Sequence, residues 1–305
     1  MTLLFNRVAL IGIGLIGSSL ARAMRRHGLA GTIVASARSE ATRQKALDLD
    51  LVESVYADPA GAVAGADLVV LAAPVGANAA IAEAIGPYLT KGTIVTDVGS
   101  VKLAVIRDVS PHLTRGVHLV PGHPIAGTEH SGPEAGFAEL FENRHCILTP
   151  PPGCDAQASE RVAALWRACG SAVSFMEANY HDKVLAITSH LPHLIAYTIV
   201  GTASHLEEEE RKEVVRFSAG GFRDFTRIAA SDPIMWRDVF LNNRGAVLEM
   251  LQRFTEDLTA LQRAIRWGEG NILQEQFTKT RAIRRSIVEA GQAGRFDPRE
   301  PERDS

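Results

Sequence analysis

The spacing of apolar positions changes character once along this chain. Up to about residue 177, short apolar runs bounded by turn residues occur at Arg7–Ile13, Thr32–Ala37, Asp67–Ala73, Thr93–Val98, Gly116–Val120 and His145–Leu148. Between most of them lie Ala-rich stretches of helical periodicity, such as Gly17–His27 and Asn78–Tyr88. Unbroken apolar runs predict strands buried on both faces, and their alternation with helices predicts a parallel sheet covered on both sides. A further run, Ala172–Met176, is predicted to close this part. From about Tyr180 strand signals stop, and amphipathic segments take over at Asp182–His205, Glu208–Ala219, Pro233–Trp267 and Asn271–Ala290. Leu241, Val247, Leu248, Leu251, Phe254, Leu258 and Leu261 form a helical stripe. The pattern predicts an α/β domain over residues 1–177 and an all-α domain over 178–290. A charged stretch with two prolines, 291–305, reads as a disordered tail. The helical apolar faces exceed what one small bundle needs, which predicts a homodimer formed through that domain.

Composition narrows the partners. With 305 residues there is room for two domains and a substantial core, and 46% apolar and 22% charged residues are ordinary for a soluble protein. A net charge of −3 leaves no basic excess to neutralise phosphates, so nucleic acid is excluded as a partner. Cys146, Cys154 and Cys169 show no metal-ligand spacing, so no metal site is expected and a reducing compartment is the simpler reading. No signal-peptide pattern precedes the first strand, and no apolar run reaches the roughly 18 residues a membrane span needs. A cytoplasmic protein without a membrane partner is the expectation.

Gly12-Ile13-Gly14-Leu15-Ile16-Gly17 follows the first predicted strand and opens a helix. In that setting GxGxxG predicts a Rossmann-type dinucleotide-binding domain. Gly12 permits the tight turn, Gly14 lets the backbone approach a pyrophosphate, and Gly17 allows close helix packing. Leu15 and Ile16 complete the contact loop. Helix N–H groups then face the anion. An acid at the end of the second strand would hold the ribose 2′-hydroxyl of NAD, but the chain reads Ser36-Ala37-Arg38-Ser39. Ser36, Arg38 and Ser39 suit a 2′-phosphate, so NADP is favoured over NAD, with use of both as the alternative. Ala73 and Pro74, and also Ser100, lie in turns after strands and should face the cofactor. Ser100 is equally a candidate helix cap.

The loop after Val120-Pro121-Gly122 begins with His123, the natural acid/base candidate because imidazole titrates near neutrality. Further along, Thr188-Ser189-His190-Leu191-Pro192-His193 puts Ser189 and His193 on one helix face, with Pro192 interrupting the hydrogen-bond ladder. The set GIGLIGSSLA, DVGSVK, GHPIAGTEHSG, SHLPH, GGFRDFTRIA and DPIMWRD resembles the prephenate/arogenate (cyclohexadienyl) dehydrogenase family of tyrosine biosynthesis. These motifs run in family order from residue 8 to about 245.

The resemblance implies an active site in a cleft between a nucleotide-binding domain and a helical dimerisation domain. The implied reaction is oxidative decarboxylation of prephenate or arogenate with NAD(P)⁺. Hydride leaves C4 for the nicotinamide, the 4-hydroxyl loses its proton, and carbon dioxide departs as the ring becomes aromatic. By resemblance His123 draws off that proton and Ser100 orients both the hydroxyl and His123. Arg227 binds the ring carboxylate, His193 and Ser189 line the pocket, and Thr128 and Glu129 shape its side-chain end. Gly220 and Trp236 match positions offered across the dimer, where Trp236 is alternatively interface core.

The chain departs from the family pattern at His130, a loop place often held by Lys. It also lacks the acid after the second strand, and no chorismate mutase or regulatory domain is expected. A 3-hydroxyacid dehydrogenase is the nearest rival; it would need a catalytic Lys near Lys183, which reads better as a solvated helix-start charge. A dinucleotide sensor without turnover is the rival outside enzymes.

Overall fold

The structure, a computed structural model, describes residues 3–205, 213 and 220–289. The predicted helix Glu208–Ala219 and the predicted tail 291–305 lie, apart from Glu213, outside the described residues. Six strands form a parallel sheet in the order β3-β2-β1-β4-β5-β6. They are β1 (Phe5–Ile11), β2 (Ala30–Ser36), β3 (Ser54–Tyr56), β4 (Leu68–Leu71), β5 (Ile94–Asp97) and β6 (His118–Val120). This is the doubly wound arrangement whose ligand crevice opens where the strand order reverses, between β1 and β4. Ile11 pairs with both Ser36 and Leu71, Leu71 pairs with Asp97, and Thr96 pairs with Val120. The carboxyl ends of five strands are therefore in register, and the loops that follow them leave from one edge.

Helices α1 (Leu15–His27), α2 (Glu40–Asp48), α3 (Pro59–Val63), α4 (Asn78–Ile85) and α5 (Lys102–Val109) connect these strands. Two buried clusters, one against each face, hold the sheet: Val8, Leu10, Leu20, Met24 and Ile33 on one side, and Ala9, Ile11, Val69, Ile85 and Val105 on the other. Alternate β1 residues thus enter opposite clusters, which is why its sequence is an unbroken apolar run.

His145–Leu148 and Ala172–Phe175 do not extend the parallel sheet, contrary to the sequence expectation. After β6 the chain turns at Pro121, and β7 (Gly122–Pro124) starts a separate three-stranded sheet. It pairs antiparallel with β8 (His145–Leu148), and β8 pairs parallel with β9 (Ala172–Phe175). Apolar content cannot distinguish these alternatives, because an apolar run does not specify the strand it pairs with; beside α6 (Ala156–Ala168), β8 is mostly buried and β9 mostly exposed.

Helix α7 (Ala178–Leu185), a π-helical turn (Ala186–His190) and α8 (Leu191–Ser204) are continuous. Together they give 27 residues with a window of mean hydropathy 1.4, long and apolar enough by length and composition to cross a membrane, which the sequence reading did not anticipate. Its histidines, His181, His190 and His193, interrupt the apolar runs. In the fold one side of this length is packed: His181, Leu185, Ala186, His190, Leu191 and Ala196 are buried, while Tyr180, Ile187 and Val200 are exposed. The segment Pro233–Trp267, predicted as one helix, is two, Pro233–Asn242 and Arg244–Trp267. Asn243 leaves the helical path between them and turns its amide to the Asp182 carbonyl (2.8 Å) and the His190 ring (3.1 Å).

The chain divides into two compact units between Leu248 and Glu249. The first holds the α/β part and the helices up to that point. The second contains the remainder of Arg244–Trp267 and the helix Gly270–Ile287, with Leu258, Ile265, Trp267, Ile272, Phe277 and Ile283 exposed.

Candidate active site

The β1–α1 turn is shaped by its three glycines. Gly12 has φ +105°, and a Cβ there would lie 2.6 Å from the carbonyl oxygen of Ala72. A Cβ at Gly17 would overlap the carbonyl oxygen of Gly12 itself. Gly14 differs: a Cβ there meets nothing within 4 Å, so protein packing does not require glycine at this position. Gly14 is the N-cap of α1, offers no side-chain cap, and no acid stands in the first turn. The leading N–H groups of α1 are thus left for an anion, over an open space next to Gly14. These features fit the pyrophosphate of a dinucleotide. Leu15 and Ile16 begin α1, and the Ala72–Pro74 turn after β4 lies against Gly12 as the strand register requires.

At the end of β2, Ser36 is buried and its carbonyl accepts from the Gly12 N–H at 3.0 Å. Arg38 and Ser39 are exposed. Ser39 caps α2 by accepting from the Thr42 N–H at 3.4 Å. Arg43, which sequence reading missed, folds its guanidinium back onto the carbonyls of Ala37 (2.9 Å) and Arg38 (2.7 Å).

The Asp97 and Lys102 of the DVGSVK motif are sealed inside rather than facing a ligand. The Lys102 ammonium contacts the Asp97 carboxylate and donates to the Gly122 carbonyl at 2.5 Å, while Asp97 accepts from the N–H groups of Gly99 (2.7 Å) and Gly122 (3.1 Å). Burial pushes the Asp97 carboxyl up and the Lys102 ammonium down, and their mutual attraction opposes both changes. Structurally the pair clamps the backbone just before His123 to the β5–α5 turn. Ser100 lies in that turn, half-buried, and its hydroxyl has no hydrogen bond among the described residues.

His123 is 8% exposed. Its Nδ1 is 2.9 Å from Nε2 of His181, and Nδ1 of His181 is 2.8 Å from the Asp182 carboxylate. That same carboxylate accepts from the N–H groups of Lys102 (2.8 Å) and Leu103 (3.0 Å), which opens α5. His123 Nε2, not sealed in the interior, has no partner among the described residues. Burial foremost, then His181, Lys102 and His190, hold the His123 pKa well below the usual imidazole value, so the ring is neutral at neutral pH. His181, Asp182 and Asn243 were missed in the sequence. The available signal was polar residues on the buried face of an amphipathic helix, since His181 and Asp182 share a face with Ala178 and Leu185.

His193 is half-buried, and its Nδ1 donates to the Ser189 carbonyl at 2.9 Å, leaving Nε2 as the acceptor. Ser189 and His193 are thus brought together, through the serine backbone rather than its hydroxyl, at the π-turn beside Pro192. Such turns recur at functional sites. Trp236 stacks on His193 of the same chain, centroids 3.6 Å apart. Arg227 donates to Glu129 at 2.9 Å, which ties the loop after β7 to the helical part and helps hold the Glu129 carboxyl below its usual range, behind Glu129's own backbone hydrogen bond. Thr128 is exposed and accepts from the His130 N–H at 3.2 Å. Gly220 begins the helix Gly220–Thr226, exposed and apart from these contacts. Lys183 is exposed, as a solvated charge would be. No metal-ligating cluster occurs among the described residues.

Comparison with known proteins matches this arrangement. The family model for the prephenate dehydrogenase nucleotide-binding domain matches residues 20–175, and that for the prephenate dehydrogenase dimerization domain matches residues 177–279. A cyclohexadienyl dehydrogenase of Zymomonas mobilis is 44% identical over 283 residues, 93% of this chain and 96% of that protein. Prephenate dehydrogenase of Aquifex aeolicus, solved with hydroxyphenyl propionate and NAD⁺, superposes with a TM-score of 0.85 at 34% identity, covering 92% of this chain and 98% of the other. A Synechocystis arogenate dehydrogenase superposes with a TM-score of 0.76 at 26% identity, over 92% of this chain and 99% of the other.

Proposed function

Because the chain belongs to the prephenate dehydrogenase family of NAD(P)-dependent oxidoreductases, we propose that it oxidises and decarboxylates prephenate or arogenate in tyrosine biosynthesis, with His123 as the base. The observation that carries the assignment of the base is His123 itself: neutral, buried and anchored through Nδ1, with Nε2 unpartnered. A bound oxidised nicotinamide supplies the hydride acceptor. The protein's own residues hold the substrate and take the proton. Nε2 of His123 accepts the proton of the 4-hydroxyl, while Ser100, in the adjoining turn with its hydroxyl unpaired, orients that hydroxyl. Loss of the ring carboxylate as carbon dioxide completes an aromatic ring, which provides the driving force.

Arg227 binds the ring carboxylate as a bidentate donor, in exchange for Glu129. His193 presents Nε2 to the pocket and Trp236 holds its ring by stacking; Ser189, Thr128, Glu129 and Gly220 complete the substrate end. Gly12, Gly14, Leu15, Ile16, Gly17, Ala73, Pro74 and Ser100 take the dinucleotide. Ser36, Arg38 and Ser39 sit at its adenosine end, where the missing acid and the exposed Arg38 favour NADP over NAD. The chain works as a homodimer through residues 178–290, whose exposed apolar helix positions support that reading, and it is a cytoplasmic enzyme.

The test is nicotinamide reduction with prephenate and arogenate, each with NAD⁺ and NADP⁺, by wild type and His123→Asn. Turnover in at least one combination is expected, with kcat reduced about 10³-fold in the variant and cofactor affinity unchanged. Because protonated His123 cannot accept a proton, kcat should fall as pH drops through its depressed pKa, placing the acid limb below 6.5. Silence in all four combinations from folded, dinucleotide-binding protein overturns the assignment.

A further inference from the structure

We propose that His181 and Asp182 are positioning residues that set the tautomer of His123, holding its proton on Nδ1 so that Nε2 is bare toward the substrate. This rests on His123 being the base. The chain of contacts runs from the Asp182 carboxylate to His181 Nδ1 (2.8 Å), and from His181 Nε2 to His123 Nδ1 (2.9 Å). A carboxylate can only accept, so His181 Nδ1 carries a hydrogen. Neutral His181 then has a bare Nε2, which can only accept, so His123 Nδ1 must donate. Burial, the largest influence on His181, pulls its pKa down and keeps it neutral even though Asp182 pulls the other way. The remaining charged and titratable neighbours of this chain, Lys102, Asp97 and His190, are likewise enclosed. The relay therefore has one consistent protonation pattern, and it leaves His123 as an acceptor at Nε2.

Asp182 has a second role through the same two oxygens. By accepting the Lys102 and Leu103 N–H groups it caps α5, the helix that begins just after Ser100. One carboxylate thus fixes the register between the turn bearing Ser100 and the ring of His123. When His123 takes the substrate proton at Nε2 it becomes an imidazolium with both nitrogens protonated. Its Nδ1–H remains bonded to His181, whose partner Asp182 provides the nearest negative charge along the chain. No proton needs to leave His123 for this stabilisation, as in catalytic triads.

The test combines kinetics with ¹⁵N NMR of histidine-labelled full-length protein, the His123 resonances being assigned by their loss in His123→Asn. In wild type, His123 should show a protonated Nδ1 and a bare Nε2. In His181→Leu, which removes the acceptor, this pattern should shift toward Nε2–H, with kcat lowered roughly 10²-fold and KM little changed. His181→Gln retains an acceptor oxygen and should recover about tenfold of that loss. A wild-type His123 carrying its proton on Nε2 overturns the proposal, as does folded His181→Leu with wild-type kcat. Should His181→Leu not fold, the wild-type spectrum and His181→Gln still decide. If His123→Asn retains full activity, the base assignment fails and this proposal with it. Inactive His123→Asn with the wrong wild-type tautomer refutes the relay alone.

Discussion

Separate alanine substitutions at Gly14 and Gly17 should divide cofactor binding from folding. At Gly14 an added Cβ meets no atom within 4 Å, and φ −78°, ψ −158° is extended backbone open to any residue. Gly14→Ala should therefore unfold within about 0.5 kcal/mol of wild type. The same methyl enters the open space before α1, where the pyrophosphate has to approach the N–H groups. Disturbing one charge-assisted hydrogen bond there removes about 1.5–3 kcal/mol, or roughly 10- to 150-fold in Kd. Gly17→Ala works differently. Its Cβ would overlap the Gly12 carbonyl oxygen, a backbone atom that can yield only if α1 moves off the β1 turn. Such overpacking costs about 1–3 kcal/mol, a Tm lowered by about 2–12 °C for a unit of this size, in addition to weaker binding. Calorimetric titration with NAD⁺ and NADP⁺, with thermal melts of the cofactor-free proteins, measures both quantities. Gly14→Ala with wild-type affinity would refute the placement of the pyrophosphate over Gly14. Gly17→Ala with a wild-type Tm would refute the packing argument.

Three further outcomes are expected. Glu129→Gln frees Arg227 from an exposed ion pair worth about 0–1 kcal/mol, so KM for the carboxylate substrate should fall up to about fivefold with kcat unchanged; a raised KM would show that Glu129's own contact with the substrate outweighs its hold on Arg227. Burial holds the His190 pKa down at about 4, so between pH 6.5 and 4 the unfolded chain takes up the proton first. Stability from this group is complete above 6.5 and declines as pH falls toward 4, by about 3 kcal/mol in full. Urea melts should show a shallower acid decline in His190→Gln, and an identical decline would place the acid sensitivity elsewhere. Arg38→Ala should weaken NADP⁺ about tenfold while leaving NAD⁺ within about twofold, measured as Kd; equal losses would assign Arg38 to the adenine rather than the 2′-phosphate.

Much of the β1–α1 turn was legible because it depends on local backbone chemistry. Glycine at positions 12, 14 and 17 between an apolar run and an Ala-rich helix specifies a turn, an opening and a close approach without reference to distant residues. His123 was legible as a candidate because imidazole titrates near neutrality and the motif around it resembles the family's. What surrounds it was not. The HD pair at 181–182 reads as an ordinary polar helix start, 58 residues from His123 in the chain. DVGSVK, likewise, reads as a cleft-facing motif, whereas Asp97 and Lys102 are turned inward to fasten Gly122. The assignment of β8 and β9 to their own sheet was also beyond local reading, since an apolar strand does not specify its neighbour.

Local composition specified most of the elements and the side chains available, though not β3, β7 or the break at Asn243. Hydrophobic period set strands and helices, the glycines set the β1–α1 turn, and the motif set carried the family. Which polar groups meet is settled by how the elements pack. The parallel register brings five strand ends to one edge, and the long helix after Glu177 then lowers His181 and Asp182 onto the β5–α5 turn and β7. Hydrogen bonds reach about 3 Å and buried polar atoms must find them within the fold. Which partner each one finds is therefore fixed by how the elements pack, at separations along the chain over which no periodicity extends.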